Sequence, residues 1–483
     1  MKKYVFSIVY LISLTPNSHA QEKVILSERL MKSIIEKSVP SVEQIEASFL
    51  SVKNELLAKK DAFSFRLEGE SQVAKSEERL LAQFDGGVTN RLNTYSVGIV
   101  KPTRYGVDLG VKSFGNKVTN AFIADAATTG TTFSLSIDLF KNFLGRKTSN
   151  DIKQSQMALE RAELEKNISL KTFEANIRKL YWALVANNEQ KIALTALVEL
   201  AEQQYQEAVR RSKSGVADAG EVARYHSQWT TRKASLLSLR YRRGGILRSI
   251  KELLPELNGK EIELGPYSVD ATVQSVLACS AYIRSFPRAP FQFTHYDEIV
   301  DLLNREENYA QQVIRTYDDP QVQLVGEYSD VGRDYGFSDA RQNLSDDGRA
   351  RQSVALKVSI PFGGKKSDTR EVSEVLAKKR YHAQAQGNLS KITAFHSETA
   401  DIISILKDVV KNQKEANESL AKSLKVSRKK YKQARISVQE LISEQDSLLQ
   451  SKINEIETNL TIINTLMDYF SIYTDIPCAL NRI

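Results

Sequence analysis

The stretch Val354-Ala355-Leu356-Lys357-Val358-Ser359-Ile360-Pro361-Phe362-Gly363-Gly364 decides the fold. As far as Ile360 it alternates: Val354, Leu356, Val358 and Ile360 share one face and oppose Ser353, Lys357 and Ser359, the signature of a strand with two unlike faces. Beyond Gly364 the period changes to about 3.5, the seam spacing of a coiled coil. Leu389, Ile392, Phe395, Ile402, Leu406, Val409, Leu420, Leu424 and Tyr431 carry this pattern toward a break at Ala434. The interval from Gly364 to Ala434 is 70 residues, the interval from Gly145 to a break at Gly215 is the same, and the offset between the two copies is 219. Uninterrupted helix of that length measures about 105 Å at 1.5 Å rise per residue, against a usual helix of about three turns. A duplicated helix this long points to reaching across a distance as the task.

Working outward, the first half shows a looser seam through Leu164, Ile168, Phe173, Ile177, Leu180, Trp182, Ala183, Leu194, Leu197, Leu200 and Tyr205, with Trp182 read as a packing residue. Each long helix is followed by a second, over about 221–254 and about 440–470, and Pro255 and Pro477 lie beyond their ends because proline cannot continue a helix. Alternating segments precede Gly145: Phe63 to Leu67, Tyr95 to Ile99, Tyr105 to Val111 and Phe133 to Leu139. With Val322 to Tyr328 and Val354 to Ile360 they make six. A half-buried sheet of a soluble protein alternates in the same way. The connections argue for a membrane barrel, since 71–93, 115–130 and 330–352 read as long polar loops while Pro102, Thr103 and Arg104 make a tight turn.

Residues 1–20 read as an export signal, with Lys2 and Lys3 before an apolar run from Tyr4 to Leu14 and small residues at Ser18 and Ala20. No later stretch is apolar enough for a spanning helix, so membrane passage falls to strands. The net charge of +8 drops to +6 without Lys2 and Lys3, and no compact basic patch with interleaved aromatics points to nucleic acid. Cys279 and Cys478 are the only cysteines. Export would place them in an oxidising compartment, where they either form a disulfide tying the halves together or remain two small buried residues.

The organisation is signal 1–20, helices 21–60, strands 61–145 and a helical hairpin 146–257 for repeat 1. A linker 258–293 follows, then a helix 294–318, strands 319–364 and a hairpin 365–474 for repeat 2, and a tail 475–483. Several segments resemble the TolC family of outer-membrane efflux proteins: Leu26 to Glu28, Ile34 and Pro40 its opening helix, Asp319, Pro320 and the strand through Tyr328 its strand entry, and Ile360 to Gly364 its strand exit. Tyr431, Ala434, Ser437, Glu440 and Leu441 resemble the far tip of its helical hairpin, with alanine where glycine is usual, and Gly215, Val216, Asp218, Glu221 and Val222 are a weaker copy.

The resemblance covers the mature chain and implies a mostly α protein with a β-barrel part, two structural repeats and a homotrimer in outer-membrane lipid. It implies a passive exit duct of a tripartite efflux or type I secretion system, coupled to a periplasmic adaptor and an inner-membrane transporter. The family usually contributes four strands per subunit against six alternating segments here, so a trimer would hold twelve strands or eighteen. The resemblance places the periplasmic entrance at Glu440, Glu221, Tyr431 and Arg435, although Ile436 stands where an arginine is often found. The adaptor-contacting tip maps to Gly215, Asp218, Ala434 and Ser437.

Nothing in the sequence has catalytic spacing. The five histidines are scattered, and no nucleophile or phosphate-binding motif appears. A Glu440 ring repeated by symmetry would favour cations, while the plainer reading is a solvated helix charge. The rival class is a periplasmic coiled-coil structural or adaptor protein, which needs the hairpins but not six two-faced strands.

Overall fold

Ser27 starts the first helix. Its Oγ accepts Leu30 N at 3.3 Å, so β1 (Lys23–Leu26) gives way at once to α1 (Glu28–Ile35). Pro40 then occupies the first position of α2 (Pro40–Asp61), where its missing N–H costs nothing. The computed structural model describes residues 22–37, 39–79, 87–119, 126–284, 294–346, 349–360 and 366–472. The export segment, the strand exit at 361–364 and the pairing of Cys279 with Cys478 lie outside the described residues.

Four strands follow α2: β2 (Arg66–Arg79), β3 (Gly87–Pro102), β4 (Val107–Thr119) and β5 (Ala126–Asp138). They are longer than the alternation suggests, so 71–93 and 115–130 are largely strand rather than loop. In their halves toward Arg79 and Thr119, residues such as Ser71 and Gln72 of β2 and Asn116 and Lys117 of β4 are polar on both faces, and the two-faced pattern disappears from the sequence there. The tight turn is as expected, with Thr103 N donating to Val107 O at 2.9 Å and Gly106 at φ 72°. The strand exit after β5 depends on Gly145. Its φ is 74° and a Cβ there would stand 1.9 Å from Arg104 O, a place only glycine fills.

The long helices come next. α3 (Arg146–Lys213) has 68 residues and is followed by α4 (Ala219–Leu253) with 35. The stretch read as a linker holds β6 (Glu261–Leu264), which pairs in parallel with β1, and α5 (Val269–Arg284). β1 and β6 have four residues each, too few to declare an alternation. After α6 (Tyr296–Ile314) come β7 (Gln321–Asp334), α7 (Phe337–Asp346) and β8 (Arg349–Ser359). α8 (Lys366–Lys432) and α9 (Val438–Ile472) then repeat the hairpin with 67 and 35 residues. Among the described residues no helix is long and apolar enough to cross a membrane.

The chain divides into two compact units, one of Met1–Glu43, Leu170–Pro287 and Ser397–Ile483, the other of Gln44–Ser169 and Arg288–His396. In the second, Ile299 and Leu303 of α6 and Ala385 of α8 form a core with Leu164, Ile168 and Tyr381 around it. Arg161 beside this core holds the buried Glu306 at 2.7 Å. In the first unit, the Glu28 carboxylate accepts Trp182 Nε1 at 2.6 Å and an Arg178 guanidinium N–H at 2.9 Å. Trp182 is buried, as a packing residue should be, and its N–H has a partner.

The two hairpin links of the first unit are built alike. Val216 N donates to Arg211 O and Arg435 N to Lys430 O, both at 2.9 Å. These are the bonds of a helix stop whose last residue turns left-handed. That residue is Gly215 at φ 71° in one link and Ala434 at φ 54° in the other. Asp218 and Ser437 then cap the returning helices, accepting Glu221 N at 2.6 Å and Glu440 N at 3.1 Å. Ala434 pays a steric penalty that Gly215 does not. Ala434→Gly is therefore expected to stabilise the protein by about 1 kcal/mol and Gly215→Ala to destabilise it by a similar amount. Denaturant unfolding followed by helical circular dichroism checks both, and equal effects of the same sign would contradict the cap geometry.

Candidate functional site

Six strands form one antiparallel sheet in the order β2-β3-β4-β5-β7-β8. The register places Leu67, Ile99, Val111, Phe133 and Tyr328 in one row. On the same face Leu109 pairs with Leu135, and the row Val107, Ile137, Leu324 and Leu356 lies two residues away along the strands. Much of this apolar face is exposed, from 40% at Leu135 to 79% at Val354, with Val107, Ile137 and Leu324 half-buried. The opposite face carries Glu68, Lys112, Thr132, Ser329 and Arg351 in one row and Arg66, Ser134, Glu327 and Ser353 in the next. A soluble sheet hides its apolar face and shows its polar one. This sheet exposes its apolar residues, while its polar face is mixed, with Ser96 and Ser329 buried and Arg66, Glu68, Lys112, Glu327 and Arg351 exposed. A contiguous exposed apolar band marks a surface that meets something other than water.

The charge that interrupts the band is accommodated at its end. Lys101, beside the tight turn, donates from Nζ to Phe63 O at 2.7 Å and lies 4.5 Å over the Phe65 ring. A long stem over apolar surface with its head turned to a polar edge is how lysine sits at an interface. At the other end of the strands, α7 occupies part of the segment read as a polar loop. It lies on the apolar side, with Phe337 edge-on to Tyr95 at 5.9 Å between ring centroids. Its backbone approaches so closely that a Cβ on Gly332 would stand 2.0 Å from Ala340 O. The helix is absent from the sequence reading because FSDARQNLSD has few apolar positions, and one of its ties to the sheet is polar, Asn343 donating to Arg333 O of β7 at 3.0 Å.

The helical tip is the second candidate. Ala208, Tyr225, Val438 and Ile442 pack together there, with Tyr205, Val222 and Tyr431 against them. Tyr431 of α8 donates its hydroxyl to Glu221 of α4 at 2.8 Å. Arg211 of α3 donates to the same carboxylate at 3.0 Å and to the Tyr431 oxygen at 3.1 Å. Tyr225 adds a hydrogen bond to Tyr431, and burial together with that bond pushes the Tyr225 phenol well above its ordinary range. Burial also raises Tyr431, with Glu221 adding to the effect. The hydrogen bond to Tyr431 holds Arg211 firmly charged. At neutral pH the cluster is thus two neutral phenols and a guanidinium facing one carboxylate.

Of the sequence-chosen residues, the fold brings Glu221 and Tyr431 together and leaves Glu440 and Arg435 exposed, outside the cluster. Gly215, Asp218, Ala434 and Ser437 form the helix stops and caps of the two links. Arg211 and Tyr225 were missed. Arg211 lies in the basic end of α3, among Arg210 and Lys213, and only its reach across to α8 distinguishes it. A further tie lies deeper, where the buried Arg232 of α4 holds Asp446 of α9 at 2.7 Å and donates to Gln445 at 3.2 Å.

No protein-family profile matches this sequence, and no curated protein matches it either. Solved structures do. CusC, described in terms of folding and transmembrane channel formation, is 14% identical, with 95% of each chain covered and a TM-score of 0.65. The outer membrane protein VceC of Vibrio cholerae is 13% identical over 92% of this chain and 96% of its own, with a TM-score of 0.63. The CmeC outer membrane channel of Campylobacter jejuni is 11% identical over 98% of this chain and 93% of its own, with a TM-score of 0.62. At such identities the likeness is one of architecture, and over nearly its whole length this chain has the fold of these outer-membrane channels.

Proposed function

We propose that the protein is one subunit of a trimeric exit duct, whose strands cross the outer membrane and whose long helices stand in the periplasm. The observation that carries this reading is the exposed apolar face of a six-stranded sheet with a polar face behind it. A periplasmic coiled-coil adaptor would have no use for such a band. Passage through the duct is passive, with energy supplied by an inner-membrane transporter for efflux or type I secretion, joined through a periplasmic adaptor. Detergent is expected to extract the protein from the outer-membrane fraction; recovery as a soluble periplasmic protein would sink the proposal.

The tip is the entrance, and the Arg211, Glu221, Tyr431 and Tyr225 cluster holds α8 against the first hairpin. Tyr431→Phe removes the donor to Glu221 at about 1 kcal/mol, which shifts an open-to-closed ratio about fivefold. Glu440, exposed in the first turn of α9 and repeated by symmetry, supplies a ring of charge that favours cations. In planar bilayers Tyr431→Phe is expected to raise mean conductance, and Glu440→Gln to lower cation selectivity without that rise. Unchanged records from both variants would remove the entrance from the tip.

The links around Gly215, Asp218, Ala434 and Ser437 are the surface offered to the adaptor. Photo-crosslinking from Ser214 and Gln433 in cells is expected to capture a periplasmic partner, and an absence of adducts from both positions counts against docking there.

A further inference from the structure

The sheet has two free edges, β2 and β8, since each has a single neighbour in the strand order. Every residue of β8 is exposed. In hydrocarbon an edge strand leaves a row of backbone N–H and C=O groups without partners, so both edges need covering. Six strands are too few to close on themselves, because the smallest membrane barrels have about eight. The register within the sheet says how they close.

The residues Arg66, Val100, Gly110, Ser134, Glu327 and Ser353 lie in one row. β2 extends thirteen residues from that row toward Arg79 and none the other way, while β8 extends four toward Arg349 and six toward Ser359. Strand midpoints therefore drift by about 1.5 residues per step, which at about 3.3 Å per residue and 4.8 Å between strands is a tilt near 45°. Spanning barrels tilt by about 35–45°. Continuing the drift for the sixth step gives an offset near nine residues. An odd offset would turn the apolar face inward, and of the neighbouring even values ten gives a tilt of about 49° and eight about 42°.

We infer that β8 of one copy pairs antiparallel with β2 of the next at an offset of eight residues, placing Val354 opposite Val73 and Lys357 opposite Glu70. This rests on the outer-membrane reading above and deepens it. The chemistry of the two edges fits that register. Val354 and Val73 are on the apolar face and are 79% and 60% exposed, and their pairing continues the band across the joint. Lys357 and Glu70 are on the polar face and oppositely charged; Glu70 already lies 3.6 Å from Lys112 of its own sheet, so Lys357 places a second base on its other side. The offset depends on strands per copy and not on the number of copies. With three copies the barrel has eighteen strands and a backbone diameter of about 37 Å, against about 25 Å for twelve strands at the same tilt.

The test is disulfide trapping in isolated outer membranes, using the full chain with C279S and C478S. Oxidation of V73C/V354C is expected to yield covalent oligomers up to a trimer on denaturing gels, while F65C/V354C, the pair that an unshifted register would join, yields none. Cross-linking of F65C/V354C instead, or of neither pair in membrane-located protein, overturns the register. Protein recovered in the soluble fraction would overturn the outer-membrane reading itself. A charge exchange gives an independent readout: E70K and K357E are each expected to lower the temperature at which the detergent-purified oligomer dissociates, and the double exchange to restore it. Failure of the double exchange to restore the oligomer overturns the pairing.

Discussion

A strand in hydrocarbon has no water to satisfy its backbone, and each unpaired amide or carbonyl costs several kcal/mol. In the outer-membrane duct proposed above, that constraint governs the six-stranded sheet. Each interior strand gives both edges to neighbours, and the row of Leu67, Ile99, Val111, Phe133 and Tyr328 lies on one face. In the duct proposed above, the same constraint makes a single copy incomplete, because β2 and β8 each have one neighbour, and assembly is then a condition for membrane residence rather than an addition to a finished fold. The sheet also explains glycine at Gly332, where the α7 backbone lies against the strand too closely for a side chain.

The helices answer a different demand. A helix of 68 residues satisfies its own backbone along its length and needs partners only for its apolar stripe and its ends. At the ends the solutions are duplicated: a left-handed stop, a short link and a capping Asp218 or Ser437. Identical links do not make identical surroundings. In the first repeat Glu221 is engaged by Arg211 and Tyr431, whereas its counterpart Glu440 stays exposed. The repeats agree in backbone and differ in the work their acidic residues can do.

Much of this is legible in the sequence. The repeat offset of 219 residues separates Ala219 from Val438, the first residues of the two return helices, and Gly145 and Gly215 both adopt the left-handed backbone that a glycine-marked boundary implies. The two-faced strands were visible wherever one side was apolar. They fade where both sides turn polar, so the alternation gives β2, β3, β4, β5 and β7 shorter than they are. β1, β6 and α7 were invisible because four-residue strands and a ten-residue polar helix carry almost no periodic signal.

The sequence by itself determined periodicity: which segments have two faces, where the period changes, and where the backbone must turn left-handed. These are local properties, set by neighbours within a few residues along the chain. The tertiary structure decided what stands opposite what. It counted six strands in one sheet, fixed the stagger that sets the tilt, and brought Arg211 to Tyr431 across 220 positions. Such pairings depend on the summed register of many strands and helices, and no single segment of the chain contains that sum.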